Sequence, residues 1–397
     1  MPDHKILYII RCGLPESAAG IRVFQMARLL QKNGYIVDFL CADPVAAEGA
    51  ANHGHDQQTG DRVYSYQGFR YFVPEPSERG RFRNLAELVT AERLCRRVKK
   101  HQCAEGYDVF VLYNDPGPLT WRLRKYCAQQ SVQLIGDITE WYAPRSRGKI
   151  GERLMPLMVG HRIRRLDKRC LDGVIAVSPF LYDYYRRKGM KTIFIPPLMQ
   201  GSGQQTAVKY HYYTHPVINL VYTGSPGEKD LLVPLFEAVE HLNRKKLRFR
   251  LDIAGVGEEY LKVVWKHGSY SELGIFAHGR VSREEALLLG YRADFCVLLR
   301  KAKRYARAGF STKMAECMSS GTAMICNDVS GPEQLLVNGR EGFVIAGLEE
   351  LEAMLEKVAG MEQNRIKEIK EAAREKAKVL FSPAAYAAPL LKLMEKR

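Results

Sequence analysis

The run AGFSTKMAECMSSGTAMICND, residues 308–328, contains the groups that a phosphorylated, ribose-containing ligand needs. A helix is predicted over residues 312–320, and the backbone N–H groups from Gly309 to Lys313 at its start suit a phosphate. Glu316 lies one turn further in, where its carboxylate can accept hydrogen bonds from both hydroxyls of a ribose. The alternative is a solvated surface acid, because helix acids are common on protein surfaces.

Two more segments place glycines between a predicted strand and a predicted helix. In VYTGSPGEKDLL, Gly224 opens a turn before a helix predicted over residues 229–243, and Lys229 is a candidate cation for a diphosphate. LDIAGVGEEYL supplies Gly255 and Gly257 in the same position after the next strand. A lone GxG is weak evidence, and a lysine at a helix start is also an ordinary surface residue.

In the first half of the chain, GDITEWYAPRSRG places two acids at the end of a predicted strand. Either Asp137 or Glu140 can orient or deprotonate an acceptor hydroxyl at such a position. The alternative is structural: Asp137 or Thr139 caps a helix and Trp141 packs in the core.

The elements that position these residues alternate short β-rich runs with longer helical segments, which predicts α/β domains with parallel sheets. The pattern occurs twice, separated by a Pro-, Gly- and polar-rich stretch. We predict two doubly wound Rossmann-like domains facing a cleft, which is where such sheets bind ligands. The predicted parts are residues 1–197, a linker over 198–216, residues 217–380, and a C-terminal helix in 381–397 that packs back on the first domain.

Composition excludes disorder, collagen and a small stapled scaffold, since the 397 residues are 46% hydrophobic and 26% charged. The net charge is +16, and residues 1–200 hold 31 basic and 20 acidic side chains, a net +11. The nine cysteines form no CxxC pair and predict reduced core residues of a cytosolic protein. No signal peptide and no run of 18 uninterrupted apolar residues is evident, which argues against secretion and membrane spanning.

Residues 142–170 contain nine Lys or Arg and two acids, interleaved with apolar residues. Such a segment can lie on an anionic membrane with its basic side chains at the headgroups. A solvated basic helix is the simpler interpretation. No recognisable nucleic-acid-binding module accompanies the charge, so nucleic acid is not a predicted partner.

The run GFSTKMAE resembles the donor-site motif of family 4 glycosyltransferases, the group 1 transferases of GT-B fold, in which two Glu residues frame a Phe-Gly turn and a helix. Phe310 occupies the Phe position, Ser311 the usual Gly position and Glu316 that of the second Glu. Ala308 stands where the first Glu is usual, so the motif is degenerate. One branch of the family has a Thr-Lys pair here, which implies that Lys313 lies near the phosphates. The resemblance extends over nearly the whole chain.

The resemblance also implies roles for residues outside that motif. The loop around Gly279 and Arg280 is similar to the one that holds the nucleotide base in the family. Gly20 is in the loop and helix that resemble the family's opening motif, where the backbone approaches the donor. Gly224 and Lys229 belong to the diphosphate turn, although Ser225 replaces the basic residue usual after the glycine.

The function implied is transfer of a sugar, with retention, from a nucleotide-sugar donor to an acceptor hydroxyl, without a catalytic metal or other cofactor. The family's acceptors are lipid-linked or saccharide molecules, which implies polysaccharide or glycolipid assembly by a cytoplasmic enzyme, peripheral on the inner face of the cell membrane. The competing hypotheses are another GT-B activity, such as a nucleotide-sugar epimerase, and a non-catalytic partner subunit that binds sugar nucleotide.

Overall fold

The computed structural model describes residues 4–11, 18–43, 50–75, 81–144, 148–199, 217–329 and 331–395. The chain divides into two compact units, Met1–Pro196 with Tyr386–Arg397, and Pro197–Ala385. Of the linker predicted over 198–216, residues 200–216 lie outside the described residues.

The first unit is built on a nine-stranded sheet of order β3-β4-β5-β2-β1-β6-β7-β8-β9. Its strands are β1 (Lys5–Ile10), β2 (Ile36–Cys41), β3 (Ala51–His55), β4 (Arg62–Tyr66), β5 (Phe69–Val73), β6 (Val109–Tyr113), β7 (Gln133–Ile138), β8 (Gly173–Ala176) and β9 (Thr192–Phe194). Its helices are α1 (Ala18–Gln31), α2 (Arg81–Thr90), α3 (Glu92–Glu105), α4 (Pro118–Gln129), α5 (Ile150–His161), α6 (Asp167–Cys170), α7 (Pro179–Arg187) and α15 (Ala387–Met394). The C-terminal helix α15 packs on β9 within this unit.

Strands β1, β2 and β5 to β9 are parallel, and β3 and β4 extend the sheet as an antiparallel edge. The parallel strands are nearly continuous buried runs, as expected where helices cover both faces. The sequence predicts β2 and β6 with the observed bounds but misses β3 to β5. Every residue of β3 is exposed, and its composition ANHGH carries no apolar alternation to find.

The second unit is built on a six-stranded, wholly parallel sheet of order β12-β11-β10-β13-β14-β15. Its strands are β10 (Ile218–Thr223), β11 (Phe249–Ala254), β12 (Ile275–Ala277), β13 (Phe295–Leu298), β14 (Ala323–Asn327) and β15 (Gly342–Ile345). Its helices are α8 (Val233–Asn243), α9 (Glu258–Val264), α10 (Arg283–Arg292), α11 (Arg304–Ala308), α12 (Thr312–Ser319), α13 (Leu351–Ala359) and α14 (Gln363–Leu380). The predicted fold class of two α/β units with parallel sheets is confirmed.

One predicted boundary is wrong where it concerns a candidate site residue. Helix α8 begins at Val233, not at Lys229. Residues 229 and 230 instead run beside the chain that follows β13: Asp230 forms an isolated bridge with Arg300, and the Lys301 N–H donates to the Lys229 carbonyl over 2.9 Å. Because residues 229 and 230 take part in this tertiary pairing, the helix begins four residues later than predicted. Lys229 is therefore not at a helix N-terminus.

The prediction that the cysteines lie in the core is confirmed for most of the described ones, and their reduced, cytosolic state stays a prediction. Seven of the eight described cysteines are buried and none forms a disulfide, whereas Cys103 is exposed at the end of α3. Cys12 lies outside the described residues. Within the described part of the chain, no helix is long and apolar enough to cross a membrane.

A buried ion cluster joins the antiparallel edge of the first unit to helix α3. Asp61, directly before β4, accepts hydrogen bonds from Arg97 Nε over 2.8 Å and pairs with His101 Nε2 over 2.8 Å. Arg97 also donates to the carbonyl of Cys41, at the end of β2. Burial raises the pKa of the Asp61 carboxyl, but the hydrogen bonds from His101 and Arg97 outweigh it and lower the pKa below its usual value.

We predict that Asp61→Asn destabilises the first unit by about 3 kcal/mol at pH 7, because it leaves a buried arginine without its carboxylate. Since the folded-state pKa of Asp61 is depressed, its contribution is present above the unfolded pKa of about 4 and is lost as the pH falls through the folded value. Urea unfolding at pH 7 and near pH 3 tests this, and the variant should differ less from wild type at the lower pH. Glu92→Gln, an exposed acid on α3, is the control; equal losses for the two variants would contradict the prediction.

Candidate functional site

Three glycine loops meet at the carboxyl ends of neighbouring strands in the second unit. Gly224 follows β10, Gly255 follows β11 and Gly279 follows β12, and each has a positive φ. The Gly255 N–H donates to the Gly279 carbonyl over 2.7 Å, and the Gly224 N–H donates to the Ala254 carbonyl over 2.7 Å. A Cβ on Gly255 would lie 2.6 Å from the Gly224 carbonyl carbon. The loops therefore pack against one another through their backbones, because the glycines have no side chains at the points of contact.

The sheet changes direction of winding between β10 and β13, because β11 lies on one side of β10 and β13 on the other. Such a switch point is where open α/β sheets bind ligands. Asp230 lies at this point of the sheet. Its carboxylate accepts a hydrogen bond from the Tyr222 hydroxyl over 2.7 Å. The carboxylate oxygens also lie 3.2 Å from Arg300 Nε and 2.9 Å from Lys313 Nζ. The carboxylate is only 5% exposed.

The charges of this group do not cancel within it. Asp230 supplies one negative charge and faces the two cations Arg300 and Lys313. Burial, followed by the charge of Asp230, raises the pKa of the Tyr222 phenol, so Tyr222 stays a neutral donor. The formal charges of these three ionised side chains sum to +1, and cations at a sheet edge attract an anion.

Lys313 is held over the first glycine loop. Its ammonium also donates to the carbonyl of Ser225 over 3.4 Å and lies 5.0 Å from the centre of the Tyr222 ring. A Cβ on Gly224 would approach Lys313 Cε to 3.1 Å. The structure thus brings together Gly224 and Lys313, which the sequence places 89 residues apart.

Arg300 and Asn327 are site residues that the sequence reasoning missed. The Arg300 backbone N–H donates to the Asn327 side chain over 2.8 Å, and the Asn327 amide donates back to the Arg300 carbonyl over 2.8 Å. The Arg300 guanidinium donates to the carbonyls of Ala306 and Gly309, and so positions the loop that leads into α12. The available signal was an arginine directly after the apolar run DFCVLL, at the carboxyl end of a buried strand.

The motif residues 308–316 adjoin this group, because Lys313 pairs with Asp230 and the Gly309 carbonyl accepts from Arg300. Gly309 is buried and its backbone is extended. The Phe310 ring packs edge-on against the Phe381 ring, with 6.1 Å between the ring centres. Phe310, Ser311, Arg300 and Asn327 line a small crevice. Glu316 is half-buried in the second turn of α12.

The remaining predicted donor-site residues lie around the glycine loops. Lys229 is half-buried and Arg280 is exposed just after Gly279. Ala308, at the position of the missing first Glu, is fully buried at the end of α11. The structure fixes these positions, while the roles predicted for them stay predictions.

In the first unit, the structure places Asp137, which the sequence predicts to orient or deprotonate an acceptor hydroxyl, in the interior. It is fully buried, pairs with Arg22 Nη2 over 2.8 Å, and accepts a hydrogen bond from the Tyr8 hydroxyl over 2.5 Å. Arg22 also donates to the Ile195 carbonyl over 3.0 Å, at the end of the unit's last strand segment. Two donors already engage this buried carboxylate. Its observed role is therefore to position α1 against the sheet. Gly20, one half-turn earlier in α1, is buried beside it.

Glu140 remains the candidate acid at the end of β7. It is half-buried, whereas its neighbour Trp141 is 3% exposed and packs edge-on against Tyr184 at 5.1 Å. Trp141 is thus a core residue, the structural alternative for that position. Thr139 hydrogen-bonds through its backbone N–H to Asn114 over 2.8 Å and does not cap a helix.

The basic segment 142–170 is not one exposed face. It forms α5, a turn of π-helix over Arg162–Leu166, and α6, while residues 145–147 lie outside the described residues. Arg162 is buried and pairs with Asp167 over 3.2 Å, so it serves the interior. The basic residues of the segment that are exposed are Lys149, Arg153, Arg164, Arg165, Lys168 and Arg169. In the described ranges, no group of three or more His, Cys, Asp and Glu side chains is arranged to hold a metal ion.

Part of the second unit is similar to a known protein family. Residues 218–364 match the family of glycosyl transferases group 1. No curated protein sequence matches the chain. Solved structures with a similar fold include sucrose-phosphate synthase from Thermosynechococcus elongatus, with a TM-score of 0.67, 17% identity, and coverage of 98% of this chain and 97% of that one.

Two further solved structures are also similar over nearly the full length of this chain. WaaG, a glycosyltransferase involved in lipopolysaccharide biosynthesis, has a TM-score of 0.63 and 13% identity, over 97% of this chain and 99% of that one. HepE from Anabaena, in complex with UDP and glucose, has a TM-score of 0.60 and 14% identity, over 98% of each chain. At these identities the likeness shows the shared fold, the two-domain GT-B architecture of glycosyltransferases.

We predict that Gly255→Ala destabilises the second unit by about 2 kcal/mol, because the new Cβ meets the Gly224 backbone and alanine is strained at φ +113°. Chemical unfolding monitored by circular dichroism measures the loss. Gly268→Ala is the matched control, since nothing lies within 4 Å of its Cβ position. An unfolding midpoint for Gly255→Ala equal to that of Gly268→Ala would refute the close packing of the loops.

Proposed function

We propose that the protein transfers a glycosyl residue from a nucleotide-sugar donor to an acceptor hydroxyl. Two findings support this: residues 218–364 match the group 1 glycosyl transferases, and the fold is similar to that of GT-B enzymes. The observation that carries the proposal is the trio of Asp230, Arg300 and Lys313 beside the Gly224 loop. Its excess positive charge and its exposed backbone edge suit a diphosphate. HepE, of similar fold, binds UDP, which supports a nucleotide as the ligand.

In the proposed reaction the bond between the anomeric carbon and the β-phosphate oxygen breaks, and the acceptor oxygen bonds to that carbon with retention of configuration. Negative charge develops on the departing diphosphate, so cations fixed in advance stabilise the transition state more than the ground state. Lys313, held by Asp230 and Ser225, is the preorganised cation, and Lys229 adds a second one.

The remaining donor contacts are proposed for residues at the same sheet edge. Glu316 would accept hydrogen bonds from the ribose hydroxyls. The backbone around Gly279 and Arg280 would hold the base, and Gly309, Phe310 and Ser311 would line the sugar side of the crevice. Within the first unit, Gly20 would allow the backbone to approach the donor, and Glu140 would take the acceptor proton.

The proposed acceptor is a lipid-linked or saccharide molecule used in cell-surface polysaccharide or glycolipid assembly on the cytoplasmic side of a membrane. The six exposed cations of segment 142–170 support an anionic membrane partner for the first unit. WaaG, a structure of similar fold, takes part in lipopolysaccharide biosynthesis, which supports this class of acceptor.

We predict that Lys313→Ala weakens binding of the cognate nucleoside diphosphate about 10- to 100-fold, since a hydrogen bond to a charged group contributes about 1.5–3 kcal/mol. Glu316→Gln should weaken nucleoside binding and leave inorganic pyrophosphate binding unchanged. Titration calorimetry with a panel of nucleoside diphosphates measures both, after thermal stabilisation by nucleotide sugars has identified the base. Lys262→Ala, an exposed lysine on α9 of the same unit, is the matched control. Equal binding by Lys313→Ala and Lys262→Ala would overturn the proposed diphosphate site.

Transfer itself is tested with labelled donor. Wild type should convert donor and acceptor to product, and Glu140→Gln should lose at least about 100-fold in kcat while keeping nucleotide affinity, because general-base catalysis contributes about 10²- to 10⁴-fold. Conversion of the donor sugar with no acceptor present would identify an epimerase instead. Nucleotide binding without any turnover would identify a non-catalytic subunit.

We further propose that no metal or other cofactor takes part, since Lys229, Lys313 and the glycine-loop N–H groups can neutralise the diphosphate. Turnover should then be unchanged by EDTA. An EDTA-treated enzyme that regains activity only with Mg²⁺ or Mn²⁺ would contradict this.

A further inference from the structure

We propose that an open cavity between α3, α4 and α6 of the first unit binds the phosphate of a membrane phospholipid headgroup, with Trp121 at its mouth inserted into the bilayer interface. The inference rests on the membrane partner proposed above and extends its contact from segment 142–170, to which Arg169 belongs, to the neighbouring helices α3 and α4. It involves no donor-site residue.

The cavity has a volume of about 520 Å³ and opens to solvent. Five basic side chains line it, and no carboxylate does. They are Lys99 from α3, Arg122, Arg124 and Lys125 from α4, and Arg169 from α6. The size exceeds what a single phosphate group needs and suits a headgroup with its hydration.

The lining cations differ in how they are held. Arg122 donates from Nε to the Thr90 carbonyl, and Lys99 Nζ lies 4.9 Å from the centre of the Tyr126 ring. Arg124 approaches Asp172 at 3.8 Å, a long pair between half-exposed groups. Lys125 and Arg169 are exposed, and neither pairs with a carboxylate in the described part of the chain. Two cations thus face solvent uncompensated at the cavity.

The cavity also contains two buried thiols that do not compensate this charge. Cys95 and Cys170 line it. Burial raises the pKa of both thiols, outweighing the opposing effect of Lys99 on Cys95 and of Arg124 on Cys170. At neutral pH the thiols are uncharged, so the cavity stays positive.

Exposed aromatic and apolar side chains lie at the cavity and on neighbouring helices. Trp121 is 62% exposed, whereas Trp141 and Trp265 are buried. Val89 on α2, and Ile150 and Leu157 on α5, are also exposed, and α2 packs against both α4 and α5. Exposed apolar and aromatic side chains among uncompensated cations are the pattern of a surface that binds the anionic bilayer interface. This combination favours a lipid headgroup over a free phosphate.

The exposure of a single tryptophan makes the proposal directly measurable. Wild-type protein, added to phosphatidylcholine vesicles containing phosphatidylglycerol at low salt, should show a blue shift of tryptophan emission and float with the vesicles. Pure phosphatidylcholine vesicles should give neither effect, and high salt should release the protein, since the Debye length falls to about 3 Å at 1 M. Trp121→Ala should bind more weakly, and its remaining emission should not shift.

Lys125→Gln/Arg169→Gln tests the cavity itself. At about fivefold per basic side chain near an anionic surface, we expect about 25-fold weaker partition into anionic vesicles. Lys32→Gln/Arg187→Gln is the matched control, with the same charge change at exposed positions of the same unit, and should lose much less. Circular dichroism and thermal midpoints confirm that the variants are folded.

Several results would overturn the proposal. They are no flotation of wild type with anionic vesicles at low salt, equal losses in the two double variants, and an unshifted Trp121 emission. Stabilisation by inorganic phosphate without vesicle binding would identify a soluble anion instead. Vesicle partition is measured without nucleotide or acceptor, so a failure of the proposed transfer reaction would not produce any of these outcomes.

Discussion

The donor side of this protein depends on one buried carboxylate. Asp230 holds Lys313 over the Gly224 loop and Arg300 against the chain that leads to α12, so three segments distant in sequence are fixed relative to one another. A buried acid with a single cation would be a closed, neutral pair. With two cations it leaves positive charge at the sheet edge, at the cost of burying ionic groups that only good geometry repays.

The topology explains why this charge can reach a ligand. All six strands of the second unit are parallel, so their carboxyl ends lie on one edge, and the reversal between β10 and β13 opens that edge at Asp230. Glycines at the ends of β10, β11 and β12 remove side chains where the loops touch. Backbone N–H groups and fixed cations then act on the same small region, which is the arrangement that stabilises a developing anion.

The first unit uses its charge differently. Asp137 with Arg22 and Asp61 with Arg97 are interior pairs that join helices to the sheet. The cations around the α3, α4 and α6 cavity face solvent instead, beside an exposed Trp121. The excess of basic residues in the first half of the chain is thus divided between structural pairs and an outer surface, and only the outer part is available to a partner.

The sequence by itself determined the fold class, the parallel strands except β5, and the motif around Glu316, because buried parallel strands are apolar runs separated by residues typical of turns. It also predicted Gly224 and Lys313 separately. Only the tertiary structure decided that Lys313 lies over Gly224, that Arg300 and Asp230 complete the group, and that Asp137 is an interior partner of Arg22. Periodicity reports which face of an element is buried, whereas the pairing of charges depends on which strand ends become neighbours, and that is a property of the assembled sheet.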